Sequence, residues 1–226
     1  MKIPFSPPDI GKDEIELVTE VLKTGWITTG PKTKLLEKKI GEYCHTGQAV
    51  CLNSQTACAE MTLRVLRVGP GDEVIVPAYT YTATASAAIH CGATIKFVDI
   101  QKDGDPITQM PEMDYEALEA AITEKTKAIV AVDLAGIVCD YARIFEIVER
   151  KKEVFTPMES DGSPLGDLCS RIQKSIGRIA VVCDAAHALG ASRVFDGKRK
   201  YVGAIADFTS FSFHAVNVFE TVQYAA

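Results

Sequence analysis

The sequence predicts an α/β fold: a mostly parallel sheet with helices on both faces. Three observations predict it. Short β-branched apolar runs alternate with helical stretches along most of the chain. Several of those runs are apolar without a break, as in strands covered on both faces. Gly, Pro and Asn clusters punctuate the joints, and such alternation requires crossover helices between parallel strands.

The elements follow in order. Residues 1–48 read as a helical arm: "KDEIELVTEVLKTGWITTGPKTKLLEKKIGEYC" is a helix, a Gly/Trp/Thr loop around Trp26, then a second helix. Such an arm suits a lid over a pocket or a contact across a partner subunit. Residues 49–226 read as the sheet core. Strands are expected at "AVCLN" (49–53), "EVIVPA" (73–78), "TIKFVDI" (94–100), "KAIVAVDLA" (127–135), "RIAVVCDAA" (178–186) and "DFTSFSFH" (207–214). Helices are expected at 56–67, 114–122 and 140–152. "VGPGDEV" (68–74) carries the Gly/Pro signal of a tight helix-to-strand turn. "TPMESDGSPLGD" (156–167) reads as a surface insertion before a short helix near 168–176.

Composition narrows the function. Apolar residues make up 47% of 226, enough for a sizeable core, and the net charge is -6 with no Lys/Arg run. That argues against nucleic-acid or membrane-surface partners, which call for a basic face. The opening "MKIPFSPPDIG" lacks the apolar stretch of a signal peptide, and no segment is long and apolar enough to span a bilayer. A cytoplasmic setting is the expectation. Seven cysteines stand singly, without C-x-x-C pairs or zinc spacing, so reduced thiols filling the core are expected and no metal.

Four features lie just beyond strand ends, where open parallel sheets bind ligands. In "LNSQTACAE", Gln55 and Thr56 sit at a helix N-terminus suited to a phosphate, although Ser54 or Thr56 serves equally as a plain N-cap. In "VPAYTYTATASA", Tyr79 and Tyr81 are either packed core aromatics or a surface that stacks on a flat ring. In "VVCDAAHALGA", Asp184 ends an apolar strand, where a carboxylate is costly unless a cation meets it or it caps a following helix. His187 falls on the same side if a helical turn begins there. In "FTSFSFHAV", Ser212 and His214 share one strand face, with Ser212 placed to hold the same phosphate.

Together and in this order, these motifs resemble the DegT/DnrJ/StrS-type pyridoxal-phosphate-dependent sugar aminotransferases of fold type I. The likeness runs from "GWITTGPKTKLLEKKIGEY" through "GPGDEVIVPAYTYTATASA", "GATIKFVD" and "VDLAGIVCDY" to "FTSFSFHAV", covering nearly all of 1–216. It implies an aspartate-aminotransferase-like large domain whose smaller C-terminal domain is missing from this chain. It implies pyridoxal 5'-phosphate or pyridoxamine 5'-phosphate as cofactor, an amino donor, a nucleotide-linked keto-sugar substrate, and a homodimer. Gln55, in place of the family's small residue, and Thr56 would bind the cofactor phosphate with Ser212. Tyr81 would stack on the ring, Asp184 would pair with its protonated nitrogen, and His187 would line the pocket.

The resemblance also implies a lysine five residues after Ser212, to which the cofactor aldehyde is tethered. Asn217 stands there. An amide neither condenses with an aldehyde nor carries the transferred proton. Catalysis is therefore expected to be lost or impaired, and "NVFETVQYAA" reads as the end of a truncated chain, with "ETVQYA" (220–225) placed to fill part of a missing strand. Lys198 and Lys200 read as a surface turn, away from the pocket.

Overall fold

The computed structural model describes residues 10–102 and 111–214. Five strands form one fully parallel sheet: β1 (Glu73–Pro77), β2 (Thr94–Val98), β3 (Thr126–Val132), β4 (Ala180–Ala185) and β7 (Phe208–Phe211), in the order β2-β1-β3-β4-β7. A separate antiparallel hairpin, β5 (Ser192–Phe195) with β6 (Lys198–Tyr201), lies between β4 and β7 in the chain.

The unbroken apolar runs are explained by two cores, one on each face. Alternate strand residues point to opposite faces. Val74, Val76, Ala128, Val130, Ala180 and Val182 therefore join one cluster, against helices α3 (Gln55–Val65), α4 (Thr82–His90) and α7 (Pro164–Ile176). Ile75, Ile129, Ala131, Val181 and Cys183 join the other, against α5 (Tyr115–Ala121) and α6 (Tyr141–Arg150). In α6, Tyr141, Ile144, Ile147 and Val148 repeat at helical spacing and are all buried, and Asp140 caps the start by accepting the Arg143 N–H. The N-terminal arm is different. Helix α1 (Lys12–Thr24) buries no residue, and α2 (Pro31–Tyr43) buries only Gly41.

Several expectations need correction. Residues 49–53 form no ladder; Val50 is 71% exposed, and the Cys51 N–H donates to the Glu37 carboxylate at 3.0 Å. Among the described residues the parallel sheet ends at β7, and no strand lies beside 49–53 to pair with it. The last strand ends at Phe211 rather than 214, which leaves Ser212 and His214 beyond it. Helix α4 was not foreseen. Its Thr/Ala/Ser sequence has no long apolar stripe, and the small Ala87 and Ala88 pack flush on the sheet.

Helix α7 starts at Pro164, four residues before the expected 168. Ser163 accepts the Gly166 N–H and proline follows at the first helical position, a start signal present in the sequence. Lys198 and Lys200 lie on an exposed hairpin strand instead of a turn. Its two-residue loop is Asp196–Gly197, both with positive φ, the Asp-Gly signature of a type I′ turn. Asn217 and 220–225 lie outside the described residues.

Candidate active site

The carboxyl ends of β3 and β4, the first turn of α3, Thr80–Tyr81 and strand β7 with the residues just after it surround a cleft of ≈ 1420 Å³. All six residues expected to bind the cofactor line it: Gln55, Thr56, Tyr81, Asp184, His187 and Ser212. They come from four separate stretches of chain, brought together because parallel strands all end on one side.

Asp184 sits at the floor, 5% exposed and the penultimate residue of β4. Its Oδ2 accepts the Thr84 hydroxyl at 2.7 Å and its Oδ1 accepts the Ala186 N–H at 3.2 Å. Burial pushes its carboxyl above the ordinary range, and hydrogen bonds from Thr84, Ala186 and Gln55 oppose that push. No helix follows it, only turns, so the helix-capping alternative fails.

His187 lies in that turn. Its Nδ1 accepts the Ala135 N–H at 3.3 Å, so the ring proton of the neutral imidazole sits on Nε2. Ala135 presents its N–H from a left-handed conformation, φ 54, unusual for a residue with a Cβ.

Ser54, with the Ala57 N–H bonded to its Oγ at 3.1 Å, is the N-cap of α3. Gln55 and Thr56 are therefore the first helical residues, at the positive end of the helix dipole. The Gln55 amide donates to Ser210 Oγ at 2.9 Å, and Ser210 donates on to the Cys183 carbonyl at 3.3 Å. Tyr81 precedes α4 and is 78% exposed, and Tyr79 is exposed too, so neither is a packed core aromatic. Beyond β7, the His214 N–H donates to Ser212 Oγ at 3.2 Å. Cys51 and Cys58 also line the cleft, whereas the other five cysteines are buried core groups; all seven are free.

Three residues of this neighbourhood were missed: Thr84, Ser210 and Asp133. Asp133 follows β3 as Asp184 closes β4, the same signal of a carboxylate after an apolar run. It is fully buried, and its N–H donates to the Asp184 carbonyl at 3.0 Å. Its carboxylate accepts the Cys139 N–H (3.0 Å), the Tyr141 hydroxyl (3.1 Å) and the Cys183 thiol (3.2 Å). Burial still pushes it up to about 6. Among the described residues no Lys or Arg lines the cleft, and no group of side chains is arranged to hold a metal ion.

A helix-covered parallel sheet with a buried carboxylate, a helix start and an exposed aromatic around one strand-end cleft defines an α/β protein whose cleft lies where open parallel sheets bind ligands. Comparison with known proteins gives the particular lineage. The chain belongs to the DegT/DnrJ/EryC1/StrS aminotransferase family, which it matches over residues 8–155 and 166–223. The unmatched 156–165 fall within the insertion read from the sequence, and the match runs past the 216 at which the motifs end.

The chain is 35% identical over 213 residues to the spore coat polysaccharide biosynthesis protein SpsC of Bacillus subtilis, covering 94% of this chain and 46% of that protein. Its fold is similar to Spr1654 of Streptococcus pneumoniae, a protein assigned as a sugar aminotransferase. The apo form superposes with TM-score 0.84 at 54% identity, covering 98% of this chain and 50% of that one. The PLP form gives TM-score 0.84 at 54% identity, covering 96% and 50%. The chain thus spans about half the length of the relatives it matches.

Proposed function

We propose that this chain is the cofactor-binding part of a pyridoxal-phosphate-dependent aminotransferase of nucleotide-linked keto-sugars, and that in the form given it holds its cofactor without a covalent bond. One observation carries the reading: Asp184 is a buried carboxylate at the floor of an open cleft, and its hydrogen bonds come from neutral donors. A buried anion of that kind calls for a cation. A protonated pyridine nitrogen fits, and Spr1654, half of whose length this chain covers, has been solved in a PLP form.

When bound, pyridoxal 5'-phosphate supplies an electron sink for moving an amino group between a donor such as glutamate and a keto carbon. The protein's own residues do the rest. Asp184 pairs with the ring nitrogen and Tyr81 stacks on the ring face. Gln55, Thr56 and Ser212 surround the phosphate at the α3 N-terminus. His187, with Nδ1 occupied, offers Nε2–H as a donor to the ligand.

Asn217 stands where the family places its tethering lysine. The loss of a positioned proton carrier alone costs roughly 10²–10⁴ in rate. Transamination by this chain is therefore absent or greatly reduced, and what is left is a cradle for pyridoxamine 5'-phosphate, which needs no tether. A cytoplasmic homodimer completes the reading, without nucleic-acid or membrane partners. Its supports are the unburied α1, with Ile15, Val18 and Leu22 exposed, and a cleft without Lys or Arg among the described residues. The phosphates of a nucleotide-sugar need cations that a second copy would bring.

Calorimetry with pyridoxamine 5'-phosphate, followed by borohydride treatment with pyridoxal 5'-phosphate and mass spectrometry, tests both parts. Binding without a covalent adduct is expected. No binding of either vitamer overturns the cofactor reading, and a reduced adduct on any lysine overturns the untethered one.

A further inference from the structure

We propose that Thr84, which no motif pointed to, is the positioning residue that keeps the Asp184 carboxylate anionic and aimed into the cleft. The inference concerns the same site as the proposed function and rests on that reading for its ligand. Its physical core, the hold of one hydroxyl on one carboxylate, is independent of any cofactor.

Thr84 is the third residue of α4 and 2% exposed, and its hydroxyl donates to Asp184 Oδ2 at 2.7 Å across 100 positions of sequence. The two hydroxyls of Thr84 and Thr80 are 2.9 Å apart, and either is free by geometry alone to donate. An ionised carboxylate only accepts, and a threonine has a single hydroxyl proton. Thr84 gives that proton to Asp184, so the Thr80 bond runs from Thr80 to Thr84. The result is an ordered relay, Thr80 to Thr84 to Asp184, whose outer member lines the cleft.

Hydroxyls in helices ordinarily bond back to a carbonyl one turn earlier. Ser86, two residues on, does so with the Thr82 carbonyl at 2.8 Å, as Thr19 does with the Ile15 carbonyl at 2.7 Å. Thr84 instead spends its only proton on the carboxylate. That choice makes the contact more than helix packing, because it directs a buried donor at the carboxylate on the floor of the cleft.

The groups around Asp184 leave Thr84 this task. From α3 comes the neutral Gln55 amide, which also serves Ser210 of β7. From the turn after β4 come the Ala186 N–H, at a longer 3.2 Å, and His187, whose Nδ1 is taken by Ala135. From β3 comes Asp133, whose carboxylate is occupied by Cys139, Tyr141 and Cys183. Burial raises the Asp184 carboxyl, and the Thr84 hydrogen bond is the largest influence opposing it. Removal of that bond raises the carboxyl further, so Asp184 takes up its proton at a higher pH and loses its charge for a cationic ring nitrogen.

The direct test needs no cofactor. In the full chain with 13C-labelled aspartate, Asp184→Asn identifies the Asp184 carboxyl resonance. Thr84→Val is expected to move its titration to higher pH, with Thr84→Ser titrating like the unaltered protein. Thr84→Ala replaces Thr84→Val if that variant fails to fold. An unchanged titration in the valine or alanine variant overturns the inference.

Calorimetry with pyridoxamine 5'-phosphate then reads the consequence. Thr84→Val should bind about tenfold more weakly, the scale of a hydrogen bond to a charged group, with the deficit larger toward acid pH and restored by serine. The two readings fail separately. If the titration moves while the unaltered protein binds no vitamer, the cofactor reading falls and Thr84 stands. If the vitamer binds and the titration stays, Thr84 falls alone.

Discussion

Asp133 and Asp184 close neighbouring strands and touch through their backbones, yet their surroundings differ. Three donors, a backbone N–H, a phenol and a thiol, converge on the Asp133 carboxylate. Asp184 is nearly as buried and both acids border the wide cleft, but the Asp184 carboxylate is met by one hydroxyl and one longer backbone N–H. The difference separates two uses of a buried acid. An acid surrounded by protein donors ties strands and loops together. An acid with fewer donors of its own keeps a demand for positive charge, which a cationic ligand would meet. Burial raises both carboxyls, so the direction of the shift does not tell them apart. What surrounds them does.

The sharpest way to break the comparison is to remove each charge in turn. Asp184→Asn should cost on the order of a thousandfold in pyridoxamine 5'-phosphate affinity by calorimetry, about 4 kcal/mol, the scale of truncating one partner of a buried charge pair. Its melting temperature should not fall, because an uncompensated buried charge has been removed.

Asp133→Asn should act on the pH dependence of stability and leave cofactor affinity nearly unchanged. A carboxyl raised from 3.8 to about 6 contributes stability that is fully present below pH 4 and is lost as pH rises through about 6. The contribution amounts to about 3 kcal/mol. Urea unfolding of the unaltered protein across pH 4–6 should show this fall, and the asparagine variant should flatten it while changing cofactor affinity less than about threefold. Equal losses of affinity in the two variants would erase the distinction.

Two smaller effects sharpen it. Tyr81→Ala should weaken vitamer binding by roughly three- to tenfold, the value of one stacking contact, with stability unchanged because the ring is exposed; Tyr81→Phe should bind like the unaltered protein. Gln55→Ala should cost about 1 kcal/mol of stability in urea, since it frees a 2.9 Å bond to a buried serine.

Much of this was legible in the sequence because it is local. A period of two, with apolar residues at every position, set out strands with a core on each face, and β1, β3 and β4 have both. A carboxylate at the end of such a run marked Asp184. The resemblance brought Tyr81, His187, Gln55, Thr56 and Ser212 to one cleft, and the structure finds them lining it. The Asp196–Gly197 turn and the Ser163–Pro164 helix start were equally legible and went unread.

The rest depends on what each residue meets, which no local pattern records. Segment 49–53 has the composition of a strand and is not one, because a strand exists only when another lies beside it. Thr84 looks like any helix threonine until α4 settles on the sheet and its hydroxyl arrives 2.7 Å from Asp184. Gln55 and Ser210 are joined across 155 positions. The sequence by itself determined the sheet, its two faces and the acid at the strand end, since these follow from side-chain alternation and the cost of burying charge. Only the tertiary structure decided which donors meet each acid and which hydroxyl holds Asp184, because hydrogen bonds form between groups that packing brings within about 3 Å.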